Sequence, residues 1–167
     1  MHKRSTLCID SDDDAETASS KCFKSLNDDF DSHYGLYLST VSGIPDEYNG
    51  RFLALDIEDI LSAHSEELEE SAQFNYMIDI PWLISKYPEK CRKKPLLIVT
   101  GVTGSEWSLF MQEALAFNNI TVTKARLQIS YGTHHTKMML LKCRTGLRVV
   151  IHTANLIEQD WCQKTQG

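Results

Sequence analysis

Two short apolar runs near the carboxyl end of the chain restrict the folds that this sequence can adopt. Lys137–Lys142 reads KMMLLK and Leu147–Thr153 reads LRVVIHT, and the four residues between them, CRTG, are typical of a turn. This pattern predicts a β-hairpin. Because both faces of each run are largely apolar, we expect the two strands to lie in the middle of a covered sheet.

Two residues suited to phosphoryl chemistry stand at the entrance of the first strand. Side chains alternate across a strand, so His135 and Lys137 project from one face, and His134 and Thr136 from the other. A neutral imidazole can attack phosphorus, and a neighbouring ammonium can neutralise the charge that builds up on the non-bridging oxygens. The chain contains 11 Lys and six His, so roughly 0.4 such H-x-K pairs arise by chance, and the spacing alone is not diagnostic.

The sequence around this pair resembles a known family. The segments GTHHTKMMLL, RVVIHTANLI and DWCQKTQG resemble the first catalytic segment of the tyrosyl-DNA phosphodiesterases, a branch of the phospholipase D superfamily. A weaker likeness lies upstream in YLSTVSGI, SAQFNYMIDIPWLISKYP and RKKPLLIV. The resemblance covers the chain from about Tyr34 onward. It implies a phospholipase D-like α/β fold, a mixed β-sheet flanked by helices in an α-β-α sandwich, present as an incomplete or single half.

The resemblance also implies roles for individual residues. His135 matches the family's nucleophile, which forms a phosphohistidine with the 3′ end of DNA and expels tyrosine, and Lys137 matches its phosphate-binding partner. Asn155 matches a residue that helps to hold the phosphate, and Gln166 matches one that orients a catalytic imidazole. The implied DNA contacts are Tyr131, where the family stacks an aromatic ring on a base, and Tyr76, beside the DNA-binding groove.

Two departures from the family's pattern bear on function. The superfamily's usual Asp after the H-x-K is replaced by Lys142, which favours the tyrosyl-DNA phosphodiesterases because they also lack it. The family's second H-x-K, which supplies the general acid for the leaving tyrosine, has no counterpart, since no other His is followed two residues later by Lys. We therefore expect the N-terminal half of an enzyme.

Two classes of function stay open. The first is a phosphodiesterase of DNA repair that cleaves the bond between DNA and a topoisomerase I tyrosine without a metal or other cofactor. The second is an inactive half-enzyme that binds DNA ends or a protein partner, since loss of a positioned acid costs about 10²- to 10⁴-fold in rate. A lipid phospholipase is disfavoured by TANLI and DWCQKTQG. A zinc site is disfavoured because adjacent strand residues splay apart; its ligands would be His134, His135, His152 and Cys143.

Charge divides the chain into unequal segments. Residues 1–33 hold four basic and eight acidic side chains, residues 34–120 hold six and 13, and residues 121–167 hold seven and two. Because residues 1–33 are also poor in large apolar side chains, we expect a disordered acidic tail there and a phospholipase D-like catalytic half-domain over residues 34–167. The basic excess around the H-x-K suits an anionic partner such as DNA.

Other features bear on partners and compartment. Leu7–Glu16, LCIDSDDDAE, resembles both a SUMO contact that adds a strand and an acidic-directed kinase site. The five Cys show no paired spacing, which indicates reduced thiols inside a cell. No signal peptide and no apolar run of about 18 residues is present, so we expect no membrane partner. The family implies the nucleus, with the cytoplasm as a second location.

Strands and helices are predicted to alternate upstream of the hairpin. The predicted strands are 34–40, 95–100, 120–124 and 126–130, and the predicted helices are 56–63 and 105–117. A β-prone start at Phe74 leads into a helix beginning at Pro81. The acidic run Glu66–Glu70 is predicted to lie on the solvated end of a helix, and GVTG, at 101–104, lacks the residues of a phosphate-binding loop.

Overall fold

A five-stranded sheet is the central element of the fold. The computed structural model describes residues 36–45, 47–49, 54–129 and 132–167. A separate short parallel pair comes first in the chain, formed by β1 (Leu38–Ser39) and β2 (Ala54–Leu55). The strands of the main sheet are β3 (Leu68–Asn75), β4 (Leu96–Thr100), β5 (Ile120–Lys124), β6 (Met138–Cys143) and β7 (Gly146–Ile151). The predicted acidic tail, 1–33, and its motif Leu7–Glu16 lie outside the described residues, so the domain boundary stays a prediction.

The strand order of the main sheet is β5-β4-β3-β6-β7. Strands β3, β4 and β5 run parallel, whereas β6 is antiparallel to β3 and β7 is antiparallel to β6. The ends of the parallel strands, the start of β6 and the end of β7 therefore meet along one edge, which we call the carboxyl edge. Ligands of open α/β sheets bind at such an edge.

The described residues form four helices, α1 (Ile57–Ser62), α2 (Ile80–Lys86), α3 (Gly104–Ala114) and α4 (Glu158–Cys162). A short 3₁₀ turn covers Glu89–Cys91. Helix α1 begins at a capping box, in which Asp56 accepts from the Asp59 amide at 2.8 Å and Asp59 accepts from the Asp56 amide at 3.0 Å. Asp79 caps α2 with a bond from the Trp82 amide at 2.9 Å, and the predicted start near Pro81 is confirmed.

One face of the main sheet is buried against the helices. Gln73, Asn75, Ile98 and Met139 have no exposed surface. Tyr87, which follows helix α2, reaches this face at Ser71 and Gln73, and α2 contacts α1 and α3. The predicted mixed α/β sheet flanked by helices is confirmed.

Polar groups attach the end of α2 to β3. The Tyr87 hydroxyl accepts from Gln73 Nε2 at 2.8 Å and lies 2.9 Å from Ser71 Oγ. Burial raises the pKa of Tyr87, although its two hydrogen bonds act in the opposite direction. A neutral phenol that pairs two buried polar side chains fixes the helix on the strand.

The opposite face of the sheet is apolar and open at β7. The exposed fractions of Leu147, Val149 and Ile151 are 60%, 53% and 71%, and Leu97 on β4 is also exposed. The predicted hairpin is confirmed, and β6 is an interior strand, but the prediction that both strands lie in mid-sheet is wrong for β7. Apolar residues on both faces show that a strand is suited to burial, and they do not identify the element that covers it. Among the described residues, no strand pairs with the outer side of β7.

Two local predictions are also wrong. Glu66–Glu70 does not end a helix: it runs into β3, where a bulge lies between Leu68 and Glu70 and Lys142 Nζ lies 2.8 Å from Glu70 Oε1. Arg126–Ser130 does not form a strand over its described residues, since the backbone leaves the sheet after Ala125 donates to the Thr100 carbonyl at 2.9 Å. The acidic run of the first stretch and the alternating pattern of the second are local features, and strand formation depends on a partner strand that neither feature specifies.

The open apolar face predicts self-association of the purified chain. Edge strands with exposed apolar side chains pair readily with other chains. We expect sedimentation velocity to show species heavier than a monomer at tens of micromolar, and fewer of them after Val149→Lys and Ile151→Lys together. A wild-type chain that stays monomeric over this range would contradict the expectation.

Candidate active site

The carboxyl edge brings together most of the predicted site residues. Tyr76 follows β3, His135 and Lys137 precede β6, and Asn155 follows β7. The connection after β7 also returns to the end of β3, where Ile78 pairs with Leu156 and the Asp79 amide donates to the Leu156 carbonyl at 2.9 Å. The strand order therefore places an imidazole, an ammonium and an amide at one end of three adjacent strands. Tyr131 lies outside the described residues, and its contact with DNA stays a prediction.

His135 is exposed and its ring is held by an aromatic neighbour. The imidazole stacks on Tyr76 with ring centroids 4.3 Å apart and planes inclined by 13°. Lys137 Nζ lies 3.4 Å from the His135 carbonyl oxygen. Stacking limits the rotation of the imidazole while leaving it open to solvent, as an attacking group requires. Tyr76 thus contacts the predicted nucleophile, and its predicted contact with DNA is untested.

His134 is the buried neighbour of the nucleophile and packs against the end of β4. It is 9% exposed, and burial lowers the pKa of its imidazole, with the charges of His135 and Lys137 acting in the same direction. A Cβ atom at Gly101 would lie 2.9 Å from the His134 Cβ and 3.3 Å from its backbone nitrogen. Gly101 is therefore required by the close approach of His134, a role that the residue types of GVTG alone did not predict.

Gly101→Ala should displace the backbone that carries His134 and His135. We expect a loss of about 1–3 kcal/mol in the free energy of unfolding, measured by urea denaturation, because the added methyl group has no room. Gly146→Ala is the matched control, since a Cβ there meets nothing within 4 Å and the backbone has no positive φ. Equal stability of the two variants would contradict the close packing of Gly101.

A buried carboxylate holds Asn155. Asp160 is 5% exposed, and its Oδ2 accepts from the Asn155 amide nitrogen at 2.9 Å and from Asn155 Nδ2 at 2.8 Å. Its Oδ1 accepts from Lys164 Nζ at 2.5 Å. Burial alone would raise the pKa of Asp160, but the bonds from Lys164 and Asn155 outweigh it and lower that pKa. The carboxylate stays ionised and fixes both the backbone and the amide of Asn155.

The C-terminal segment is hydrogen-bonded to strand β1. Gln166 N donates to Ser39 Oγ at 2.8 Å, and the Ser39 amide donates to the Gln166 carbonyl at 2.8 Å. Gln166 Oε1 accepts from Thr153 Oγ1 at 2.7 Å. The described residues thus join Gln166 to the end of β7 through a hydroxyl, and its predicted orientation of an imidazole stays a prediction.

His152 lies buried under the site. It is 8% exposed, its ring centroid lies 5.6 Å from that of Trp161, and its backbone amide donates to the Lys137 carbonyl at 3.2 Å. Neither imidazole nitrogen has a well-formed hydrogen bond with a described residue, although the Ala154 backbone is close. Burial lowers the pKa of His152 to about 4. The sequence contained no signal for this burial beyond the apolar run that precedes it.

The described residues contain neither a metal-binding cluster nor a membrane-spanning helix. No group of three His, Cys, Asp or Glu side chains within them is placed to hold a metal ion. Helices long and apolar enough to cross a membrane are likewise lacking in the part of the chain that the structure describes. An exposed imidazole beside an ammonium and an anchored amide can bind a phosphate and attack it.

Comparison with known proteins identifies a family that this chain resembles along most of its length. The family model for tyrosyl-DNA phosphodiesterases matches residues 35–167. Tyrosyl-DNA phosphodiesterase 1 of Arabidopsis thaliana is 35% identical over 130 residues, which are 78% of this chain and 20% of that protein. Tyrosyl-DNA phosphodiesterase 1 of Drosophila melanogaster is 32% identical over 136 residues, 80% of this chain and 23% of that protein. The chain thus spans about a fifth to a quarter of the length of these curated relatives.

Solved structures agree on the fold. The crystal structure of a yeast tyrosyl-DNA phosphodiesterase superposes with a TM-score of 0.52 at 12% identity, covering 78% of this chain and 30% of that one. At this identity the likeness shows a shared fold and leaves the roles of individual residues to the geometry described above.

Proposed function

The chain belongs to the tyrosyl-DNA phosphodiesterase family, and from that premise we propose that His135 attacks the phosphorus joining the 3′ end of DNA to a tyrosine. The observation that carries the proposal is the exposed His135 imidazole, stacked on Tyr76 and next to Lys137 at the carboxyl edge. A topoisomerase I tyrosine trapped on DNA is the adduct that this chemistry would remove in DNA repair.

The proposed reaction has two displacements. In the first, a neutral imidazole nitrogen of His135 forms a bond to phosphorus, the bond from phosphorus to the tyrosine oxygen breaks, and that oxygen leaves with the electron pair and takes up a proton from solvent. In the second, water attacks phosphorus and gives up a proton to solvent, the nitrogen–phosphorus bond breaks, and DNA is released with a 3′-phosphate. Lys137 and the Asn155 amide stabilise the charge on the non-bridging oxygens in both steps. None of these steps uses a metal or cofactor.

A second candidate function is favoured by one observation. The 167 residues contain a single H-x-K, so no second His-Lys pair is present to protonate the leaving tyrosine. A chain that binds a DNA 3′ end, or forms the covalent intermediate, without turnover would fit this composition. On the family premise we place either function in the nucleus, with the cytoplasm as a second location; imaging of a tagged chain tests this.

The proposed hydrolysis is tested with a single-stranded oligonucleotide that carries a 3′-phosphotyrosine, incubated with the purified chain in EDTA. We expect tyrosine release from the wild type and its loss in His135→Ala, while His64→Ala, outside the site, retains it. Release that is unchanged in His135→Ala would overturn the proposal. Binding of the oligonucleotide without release would favour the second candidate.

A further inference from the structure

We propose that the far end of the carboxyl edge, at the end of β5, is a second nucleic-acid contact that binds the phosphate backbone upstream of the 3′ end. We call it the β5 subsite and define it by Lys124, Arg126 and Trp107. The inference rests on the proposed action on DNA, and it names a surface that lies apart from the residues of the site described above.

The position of the β5 subsite follows from the strand order. Lys124 ends β5 opposite Thr100 of β4, so it lies on the same edge as the site residues that precede β6. Three strand intervals separate β5 from β6, which is about 14 Å at about 4.8 Å per interval. A nucleic-acid strand rises about 3.4 Å per nucleotide in a helix and more when extended, so roughly four nucleotides or fewer cover the distance.

The basic side chains of the β5 subsite are available to an anion. Lys124 and Arg126 are exposed, and neither forms an ion pair with any residue in the described ranges. Residues 114–157 contain no Asp or Glu and six Lys or Arg. Lys142, by contrast, lies at the far end of β6 and is paired with Glu70. Of these six, Lys137 lies at the site and Lys124 and Arg126 lie at the end of β5, so positive charge is present at both places on the carboxyl edge.

An indole ring lies beside the ammonium group of Lys124. Lys124 Nζ lies 4.2 Å from the centre of the Trp107 ring on α3, close enough for a cation–π interaction that holds the ammonium in place. The following residues, Leu127 and Ile129, are 45% and 74% exposed. Basic groups interleaved with an indole and apolar side chains suit the phosphates, sugars and bases of a single strand better than they suit a small free anion.

Binding of fluorescent oligonucleotides that carry a 3′-phosphate tests the β5 subsite without requiring hydrolysis. The variant is Lys124→Gln with Arg126→Gln, and the matched control is Lys93→Gln with Lys94→Gln, two exposed lysines that precede β4 at the opposite edge. The strands are a dinucleotide and a strand of roughly 12 nucleotides. A third probe joins the dinucleotide to a tyrosine-containing peptide instead of further nucleotides.

We expect the β5 variant to bind the long strand at least about tenfold more weakly, and the slope of log K against log salt to fall by about 1.4 for two lost phosphate contacts. Dinucleotide binding should be unchanged, and the control variant should behave as wild type. An equal loss in the control variant, an equal loss with the dinucleotide, or a loss with the peptide probe instead would overturn the proposal. Wild-type chain that binds the long strand no better than the dinucleotide would overturn it as well. If tyrosine release fails while these binding differences hold, the proposed hydrolysis fails and the subsite stands.

Discussion

Replacing Asp160 with asparagine should lower the free energy of unfolding by about 2–3 kcal/mol at neutral pH. The carboxylate is 5% exposed and accepts three hydrogen bonds, two from Asn155 and one from Lys164. Bonds to a charged partner are worth about 1.5–3 kcal/mol, and an amide in this place would set an NH₂ group against one of its present donors.

In the same variant, the rate of the proposed tyrosine release should fall by more than the loss of folded protein explains. Asn155 would lose the group that fixes its backbone and amide, and a misplacement of about 1 Å at a reacting centre costs about 10²-fold in rate. Urea denaturation and single-turnover release of tyrosine measure the two effects. Glu158→Gln, an exposed carboxylate on the same helix, is the matched control. Asp160→Asn that unfolds at the same urea concentration as this control would contradict the role of the buried carboxylate.

The pH dependence of Asp160 has a definite sign. The pKa of Asp160 is lowered in the folded chain. Its contribution to the free energy of unfolding is therefore present above the unfolded pKa of about 3.9 and is lost as the pH falls through the folded value. Asp160→Asn should therefore lose stability at neutral pH and approach the wild type only below about pH 4.

We expect the wild-type chain to lose stability as the pH falls from about 6.5 to about 4, and we expect this loss to depend on His152. Its pKa is lowered from 6.5 to about 4, so the unfolded chain takes up the proton first and acid favours unfolding across this window. A shift of this size corresponds to about 3 kcal/mol at 1.36 kcal/mol per unit. His134 shifts in the same direction and adds to the slope.

His152→Phe should remove most of that dependence. An aromatic ring of similar shape can fill the space beside Trp161, and no imidazole nitrogen is then left without a hydrogen bond. We expect the variant to be as stable as wild type at pH 7.5 and more stable at pH 5 in urea titrations. A wild-type slope that persists in His152→Phe would show that the acid sensitivity arises elsewhere; His64→Gln serves as the control histidine.

Local pattern predicted the hairpin and the elements around it because both partners are close in sequence. Met138–Cys143 and Gly146–Ile151 are joined by a two-residue turn, and their apolar content was sufficient. The placement of His135 and Lys137 at the start of the first strand followed from the same pattern. The site's identity, however, came from resemblance, since an H-x-K is frequent by chance.

The sequence did not predict contacts between residues that are far apart in the chain. Ser39 and Gln166 bond across 127 residues, and Tyr76, which follows β3, stacks on His135, which precedes β6. No periodicity records such pairs, because they depend on the order of strands in the sheet. Glu158 and Asp160 lie two residues apart in one short helix, and no feature of their sequence separates the buried carboxylate from the exposed one. Strand β7 shows the opposite case: its apolar pattern predicted burial, but several of its apolar residues are exposed.

The most direct test of the account is to locate the covalent bond. The wild-type chain would be mixed with an oligonucleotide carrying a 3′-phosphotyrosine, denatured without acid, digested, and searched by mass spectrometry for a peptide bearing a nucleotide. We expect an acid-labile adduct on His135, absent from His135→Ala. An adduct on His134, or tyrosine release with no histidine adduct in rapidly quenched samples, would contradict it.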